Sequence, residues 1–156
     1  MRKKDHIKDY ATAAFRFYKT VGGVKAYKDK LWSDALAVSQ KSGILPNAFG
    51  DVGISKPTEA DIMRAQRAVD DAYAAVSDLE AVERTLDIIA RLGNGLYIKK
   101  ALEYVYFPDA DKPLERGDIQ ARVHRAEIHI PASERTVYYY LSQARRFFAV
   151  ERGLRI

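Results

Sequence analysis

The sequence predicts an all-α protein. Through most of the chain, apolar side chains recur at intervals of three and four residues, which is the period of an α-helix. Glycine and proline cluster in a few short stretches between these periodic segments, where helices are expected to end. Strand-like alternation occurs only at 127–130 and 137–140, and both stretches fit a turn or a helix better, so we expect no sheet.

The composition indicates a folded protein without cysteine chemistry. The 156 residues, 47% hydrophobic and 30% charged, suit one or two compact units. Cysteine is absent, so disulfides and thiolate metal sites are excluded and a reducing compartment is favoured. Charged residues follow the basic N-terminus without an apolar signal region, and no uncharged run approaches the length of a membrane span. We therefore expect a cytoplasmic protein that does not enter the membrane.

Two helices and a loop are predicted in the N-terminal part, residues 1–57. The first helix covers residues 5–20 and meets Gly22 and Gly23, and the second covers about 24–41. Glycine and proline punctuate the remainder of this part, which we interpret as a loop that ends in a domain boundary. The apolar stripes of the two helices are Ile7, Tyr10, Ala14, Phe17 and Tyr18, and then Tyr27, Leu31, Ala35 and Val38.

The middle of the chain, residues 58–110, is predicted to contain a long central helix and a shorter one. Thr58 can cap the long helix, whose periodicity continues to about Leu92. A Gly-Asn-Gly stretch then precedes the short helix at 96–105, and Pro108–Pro113 breaks the chain again. The long helix carries a heptad-like apolar seam of Ile62, Ala65, Val69, Ala72, Val76, Leu79, Val82, Leu86 and Ile89. This seam could face other helices of the same chain or a second copy in a homodimer.

The C-terminal part, residues 111–156, is predicted to contain two helices joined by a turn. The first covers 114–128, and Pro131 prevents its continuation, because proline lacks an N–H and disfavours a helical conformation of the preceding residue. Ser133 is a good N-cap for a second helix that reaches about Val150. The predicted inward-facing residues of the two helices are Ile119, Val123, Ala126, Val137, Leu141, Ala144 and Phe148.

This arrangement and its charge suit a helix-turn-helix that binds double-stranded DNA. The formal net charge is +5, and the excess of positive charge lies in residues 1–41 and 112–156, where it could attract phosphates. In such a motif the second helix enters the major groove with its first turns facing base edges. Glu134 and Arg135 are our first choices for base contacts, because Glu accepts from cytosine and Arg donates to guanine. The full predicted set of DNA-binding residues is Ser133, Glu134, Arg135, Tyr138, Tyr139, Ser142, Arg122, Arg145 and Arg146.

The same segment carries a family resemblance. Ser-Glu-Arg-Thr-Val-Tyr at 133–138 and Tyr-Leu-Ser-Gln-Ala-Arg-Arg-Phe-Phe at 140–148 resemble the recognition helix of sigma-factor region four. They are more closely similar to the C-terminal part of the ArpU and RinA-like late-gene regulators of Gram-positive phages and prophages, over residues 114–150. The resemblance implies a helical N-terminal part joined to a sigma-like helix-turn-helix, and hence a sequence-specific transcriptional regulator. We expect this regulator to act without a cofactor or enzymatic activity, and it could form a dimer through the long central helix and contact RNA polymerase. The turn at 126–133 is longer than in sigma-like motifs.

Other functions leave weaker signals in the sequence. A phage DNA-packaging subunit of the small-terminase kind also combines a helix-turn-helix with an oligomerising helix, and a helical protein-interaction module would bind no nucleic acid. Glu80, Glu83 and Asp87 resemble half of the paired-carboxylate site of all-α nucleotide pyrophosphatases, but a second acidic pair is missing, so no catalytic residue is predicted. The three histidines lack metal-ligand spacing, so no metal is predicted. A stacking surface for single-stranded nucleic acid, or more typically a helical core, could be formed by Tyr10, Phe15, Arg16, Phe17, Tyr18 and Lys19.

Overall fold

The computed structural model describes the backbone of residues 4–43 and 58–155, and the side chains of these residues except 38–43. In these ranges the chain forms seven α-helices, one π-helical segment and no strand, which confirms the all-α prediction. The α-helices are α1 (His6–Val21), α2 (Val24–Gly43), α3 (Glu59–Asp71), α4 (Tyr73–Ala90), α5 (Gly95–Ala101), α6 (Asp118–Ala126) and α7 (Glu134–Arg152), and the π segment is Leu102–Tyr106. None of the helices in the described ranges has the length and apolar character needed to cross a membrane. Most of the predicted loop at 42–57, and the side chain of Val38, lie outside the described residues.

Local capping signals determine where α1 and α7 begin and end. The Asp5 carboxylate accepts a hydrogen bond from the backbone N–H of Lys8 at 3.0 Å, and α1 ends at Gly22, whose φ of 83° favours glycine. The Ser133 hydroxyl accepts from the backbone N–H of Thr136 at 3.3 Å at the start of α7. These ends agree with the predicted ones, because caps depend on residues close in sequence.

The predicted long central helix is two helices in the structure. Ala72 separates α3 from α4, and its N–H donates to the carbonyl of Val69 at 3.2 Å in a tight turn with φ −87° and ψ 20°. Neither glycine nor proline stands at this position, so the apolar periodicity alone predicted one continuous helix. Thr58 caps α3 as predicted, in a capping box with Asp61.

The α4 half of the apolar seam faces the interior of its own chain. Val82 and Ile89 belong to the hydrophobic core that α4 shares with α1, α5, α6 and α7, and Leu86 packs against that core. Val76 and Leu79 are buried as well. For this half of the seam, the intramolecular alternative is the one that the structure confirms.

Two compact units divide the chain. The first combines the described parts of Met1–Val24 and Ser77–Ile156, and the second is the described part of Lys25–Val76. The predicted boundaries after residue 57 and after residue 110 stay predictions. Turns rich in glycine and proline mark the ends of helices, whereas the division into units follows from which helices share a core.

An aromatic cluster forms the centre of the first unit. The Phe15 ring lies 6.2 Å from the ring of Tyr106 and 5.7 Å from that of Phe148, measured between centroids, so that α1, the π segment and α7 meet there. The buried face of α1 is rotated from the predicted stripe, since Tyr10 is exposed and Phe15 is buried. The buried residues of α1 are Ala11, Ala14, Phe15 and Arg16.

The predicted short helix at 96–105 is present as α5 and the π segment. Gly95 permits the close approach of α5 to the end of α4, because a Cβ atom at this position would lie 1.9 Å from the carbonyl oxygen of Ile89. In the π segment, the N–H of Phe107 donates to the carbonyl of Leu102 at 3.0 Å. This wider turn is followed by the predicted break at Pro108–Pro113.

Candidate nucleic-acid interface

The turn at 127–133 joins α6 to α7 and is held by two kinds of contact. The Ile130 side chain is 1% exposed and anchors the turn in the core. The Glu127 carboxylate accepts a hydrogen bond from the backbone N–H of Glu134 at 2.6 Å, which satisfies one of the free N–H groups at the start of α7. The predicted turn before Ser133 is therefore present and firmly attached to α6.

α6 is shorter than predicted. Leu114 to Gly117 lie before the helix, where Gly117 adopts a φ of 88° and the Asp118 carboxylate accepts from the backbone N–H of Glu115 at 2.9 Å. The inward-facing residues are the predicted ones, with Val123 and Ala126 buried and Ile119 half-buried.

α7 has one buried face and one exposed face, as the helical period predicts. The buried residues are the predicted Val137, Leu141, Ala144 and Phe148, together with Ala149. The exposed residues at intervals of four, three and four, which share one face of the helix, are Arg135, Tyr139, Ser142 and Arg146. We call these four residues the outer stripe.

The two arginines of the outer stripe have no internal partners within the described part of the chain. Neither Arg135 nor Arg146 forms a hydrogen bond or an ion pair with any residue that the structure describes. Between them, Tyr139 is 56% exposed and its hydroxyl accepts from the Gln143 amide at 2.9 Å. Tyr138, beside the stripe, is 38% exposed. The stripe thus presents two guanidinium groups with aromatic and hydroxyl groups between them.

Glu134, the other residue predicted to contact bases, has partners within the protein. Its carboxylate lies 2.9 Å from Nδ1 of His124 in α6, and its backbone N–H is bonded to Glu127. The hydroxyl of Ser133 is likewise engaged as the cap of α7. Among the predicted residues at the beginning of α7, Arg135 has no such structural contact in the described chain.

Arg122 and Arg145, which the sequence predicted near phosphates, donate hydrogen bonds inside the protein. Nη1 of Arg122 lies 3.0 Å from the carbonyl oxygen of Val105, and Nη1 of Arg145 lies 2.6 Å from the hydroxyl of Tyr106. Both side chains are half-buried, unlike the exposed arginines of the outer stripe. The structure therefore distinguishes two groups among the arginines that the sequence placed together.

Arg16 has a structural role that sequence reasoning missed. Its guanidinium is buried and donates four hydrogen bonds of 2.6–3.2 Å to the backbone carbonyls of Tyr106, Pro108, Asp109 and Lys112. Burial, followed by the nearby charge of Arg122, lowers the pKa of the Arg16 guanidinium. Of the two interpretations of this segment, the helical core, which the spacing favoured over a stacking surface for single-stranded nucleic acid, is confirmed for Phe15 and Arg16, because both side chains are buried. The sequence signal for a buried Arg16 was its position among aromatic residues at helical spacing.

Three potential metal ligands converge at the α6–α7 turn, which the sequence did not predict. Ligand atoms of His124, Glu127 and Glu134 lie within 4.8 Å of one another. These residues form no metal-binding motif in the sequence, because Glu134 approaches His124 and Glu127 only through the turn at 127–133. The two carboxylates already accept hydrogen bonds from the Glu134 N–H and the His124 ring, so the cluster ties α6 to α7.

The acidic face of α4 contributes to the fold at the start of α2. The Glu83 carboxylate accepts from the backbone N–H of Val24 at 3.0 Å, which satisfies a free donor at a helix N-terminus. The pKa of Tyr18 is raised by burial and, to a smaller extent, by the charges of Glu83 and Asp87. At least Glu83 of the predicted carboxylate half-site is therefore used structurally.

Comparison of the chain with family models, with curated proteins and with solved structures finds no match. Function is therefore inferred from the residues and the geometry of the chain itself.

Proposed function

We propose that this protein is a sequence-specific, double-stranded DNA-binding transcriptional regulator of phage or prophage type, in which α6 and α7 form a helix-turn-helix. The observation that carries the proposal is the outer stripe of α7. Two arginines without partners in the described chain, a tyrosine and a serine are exposed on a helix whose opposite face is fully buried. This exposed face adds nothing to the core. Guanidinium and hydroxyl groups are the kinds of group that contact phosphates and base edges in protein–DNA complexes.

The dimensions of the outer stripe suit the major groove. Arg135 and Arg146 are separated by about 16 Å along the helix axis, at a rise of roughly 1.5 Å per residue. The major groove is about 12 Å wide and admits an α-helix. Arg135, in the first turn of α7, would face base edges, and Arg146, three turns later, would reach the phosphate backbone. Base contacts specify a sequence, whereas phosphate contacts position the protein.

Internal partners narrow the proposed set of DNA-contacting residues. The outer stripe and the neighbouring Tyr138 are exposed, whereas Arg122 and Arg145 donate hydrogen bonds inside the protein. Glu134 is paired with His124, so a contact with cytosine would have to replace an existing hydrogen bond. Arg135 is therefore the residue on which sequence preference depends most.

A homodimer and RNA polymerase are the proposed protein partners, and the cytoplasm is the proposed compartment. Two-fold symmetric dimers place one recognition helix in each half of a palindromic site. Val76, Leu79, Val82 and Ile89 of the apolar seam are buried within a single chain. A dimer would therefore use a surface other than this half of the seam.

The test compares duplex binding by the wild type, Arg135→Ala and Arg146→Ala across a salt series. One duplex carries the DNA upstream of the protein's own gene, and the other carries the same bases in scrambled order. Arg135→Ala should weaken binding to the upstream duplex by about 1–3 kcal/mol and change binding to the scrambled duplex little. Arg146→Ala should weaken both alike and reduce the salt slope by about one.

Arg91→Ala is the matched control, because Arg91 is an exposed arginine outside α6 and α7. This variant should bind both duplexes like the wild type. Equal losses in Arg91→Ala and Arg146→Ala would show that general charge, and not the outer stripe, attracts the duplex. A wild type without salt-dependent duplex binding would overturn the proposal and favour a helical protein-interaction module. A ring-shaped oligomer by light scattering would favour a DNA-packaging subunit.

A further inference from the structure

A groove of about 590 Å³ opens on the first compact unit between α1, α7 and the chain around the start of α6. Its lining is mostly apolar and includes Ala13 and Phe17 of α1, Leu114 and Ile119 near α6, and Leu141 of α7. This volume lies within the range of small-molecule sites, which are apolar clefts with a few polar groups. We call it the α1–α7 groove.

Cationic side chains outnumber carboxylates in the α1–α7 groove. Lys8, Arg16 and Arg145 line it, together with the exposed Asp9 and Asp111. Among the residues that the structure describes, no carboxylate forms an ion pair with either arginine, and their hydrogen bonds go to uncharged oxygens. The charges of Asp109, Asp111 and Asp118 act on the buried Arg16, whereas the half-buried Arg145 has no carboxylate partner among the described residues. A half-buried cation without a counter-ion is costly beside an apolar surface, so an anion that reaches Arg145 in this groove is favoured.

Arg145 and Lys8 are the groups that can bind such an anion directly. A guanidinium carries five N–H donors, and Arg145 uses Nη1 for the hydroxyl of Tyr106, which leaves other donors available. Arg16 differs, because both of its terminal nitrogens donate to backbone carbonyls and its contribution is limited to positive charge. Lys8 is exposed, so its ammonium can approach a bound anion from the α1 side.

We propose that the α1–α7 groove binds a small amphipathic carboxylate, with the carboxylate at Arg145 and Lys8 and the hydrocarbon body against the apolar lining. A DNA backbone fits this lining poorly, because it carries a charge at every nucleotide and offers no apolar body. α7 contributes Tyr138 as well as Leu141 and Arg145 to the groove, so the ligand would touch the helix that bears the outer stripe. This site does not depend on the proposed DNA binding.

Octanoate and 1-octanol are the probes, titrated into the full chain by isothermal titration calorimetry at concentrations below micelle formation. The wild type should bind one octanoate per chain, at least tenfold more tightly than octanol. Arg145→Gln should weaken octanoate binding about tenfold or more, because a charge-assisted hydrogen bond is lost, and leave octanol binding unchanged. Arg91→Gln, which removes the charge of an exposed arginine outside α1, α6 and α7, should bind octanoate like the wild type.

Ala13→Trp supplies a second variant, because Ala13 is exposed on α1 and a large side chain there would fill the groove. It should abolish binding of both probes while its thermal unfolding curve stays close to that of the wild type. Equal affinities for octanoate and octanol, or an Arg145→Gln protein that binds octanoate normally, would overturn the proposal. The proposal would also be overturned if the wild type bound no octanoate and Arg145→Gln lost affinity for the duplex. The anion that binds Arg145 would then be a DNA phosphate.

Discussion

Arg16 in α1 and Arg146 in α7 carry the same side chain in opposite surroundings. The guanidinium of Arg16 is buried and donates to four backbone carbonyls, whereas that of Arg146 is exposed and has no partner in the described chain. The difference originates in the π segment and the loop after it, where carbonyls at a helix end lack intrahelical donors. Of these two arginines, the one that meets a helix end is structural, and the exposed one is available for a ligand.

Buried and half-buried arginines hold together several helices of the first unit. Arg16 attaches α1 to the loop at 108–112, and Arg122 of α6 donates to the carbonyl of Val105 in the π segment. Two arginines distant in sequence thus satisfy the same helix end. The outer stripe makes no comparable contribution to folding, so substitutions in the two regions should affect different measurements.

The largest effect is expected for Arg16→Met, which keeps an apolar side chain of similar length but removes all donors. Four backbone carbonyls, one of them in a buried and three in part-buried hydrogen bonds, would lose charged donors, so the free energy of unfolding should fall by about 3 kcal/mol or more. Urea unfolding followed by circular dichroism measures this change. Arg146→Met, the matched control, should stay within about 0.5 kcal/mol of the wild type. Equal stabilities of the two variants would contradict the assignment of Arg16.

A smaller effect is expected for Ser133→Ala. Its hydroxyl caps α7 by accepting from the backbone N–H of Thr136, and loss of such a cap costs about 1 kcal/mol. Ser142 is the control, because it lies on the outer stripe of the same helix without a capping role. Ser142→Ala should leave the urea midpoint nearly unchanged, and a greater loss in Ser142→Ala than in Ser133→Ala would reverse the proposed roles.

The smallest effect is expected at alkaline pH from Tyr10. Its hydroxyl donates to the Asp78 carboxylate, which also accepts from Arg152, and these contacts join α1, α4 and α7. Partial burial, and then the hydrogen bond and the charge of Asp78, raise the pKa of Tyr10 above the ordinary tyrosine value of about 10. The stabilisation that this shift represents is complete below pH 10 and is lost as the pH rises above it.

Unfolding of the wild type and Tyr10→Phe in urea at a series of pH values tests this linkage. The stability advantage of the wild type over the variant should shrink as the pH increases from about 9 to 11, because the ordinary tyrosine pKa of about 10 lies in that interval. An advantage that is constant or grows over this interval would show that the Tyr10 proton is not bound more tightly in the folded state.

The sequence by itself determined the local structure of α7 and of the turn before it. The N-cap at Ser133, the turn at Pro131 and the buried face of α7 depend on residues within a few positions of one another, so periodicity and capping rules predicted them correctly. The outer stripe follows from the same period. Its role at DNA stays a prediction, which the duplex-binding comparison tests.

Only the tertiary structure decided what each charged or apolar face meets. The carbonyls that engage Arg16 lie some ninety residues later in the chain, and no local rule relates them. The same holds for the α4 half of the apolar seam, which could have faced a second subunit but packs in its own core. No glycine or proline at Ala72 predicts the interruption between α3 and α4. Periodicity identifies an apolar face, whereas its partner depends on contacts between segments that are distant in sequence.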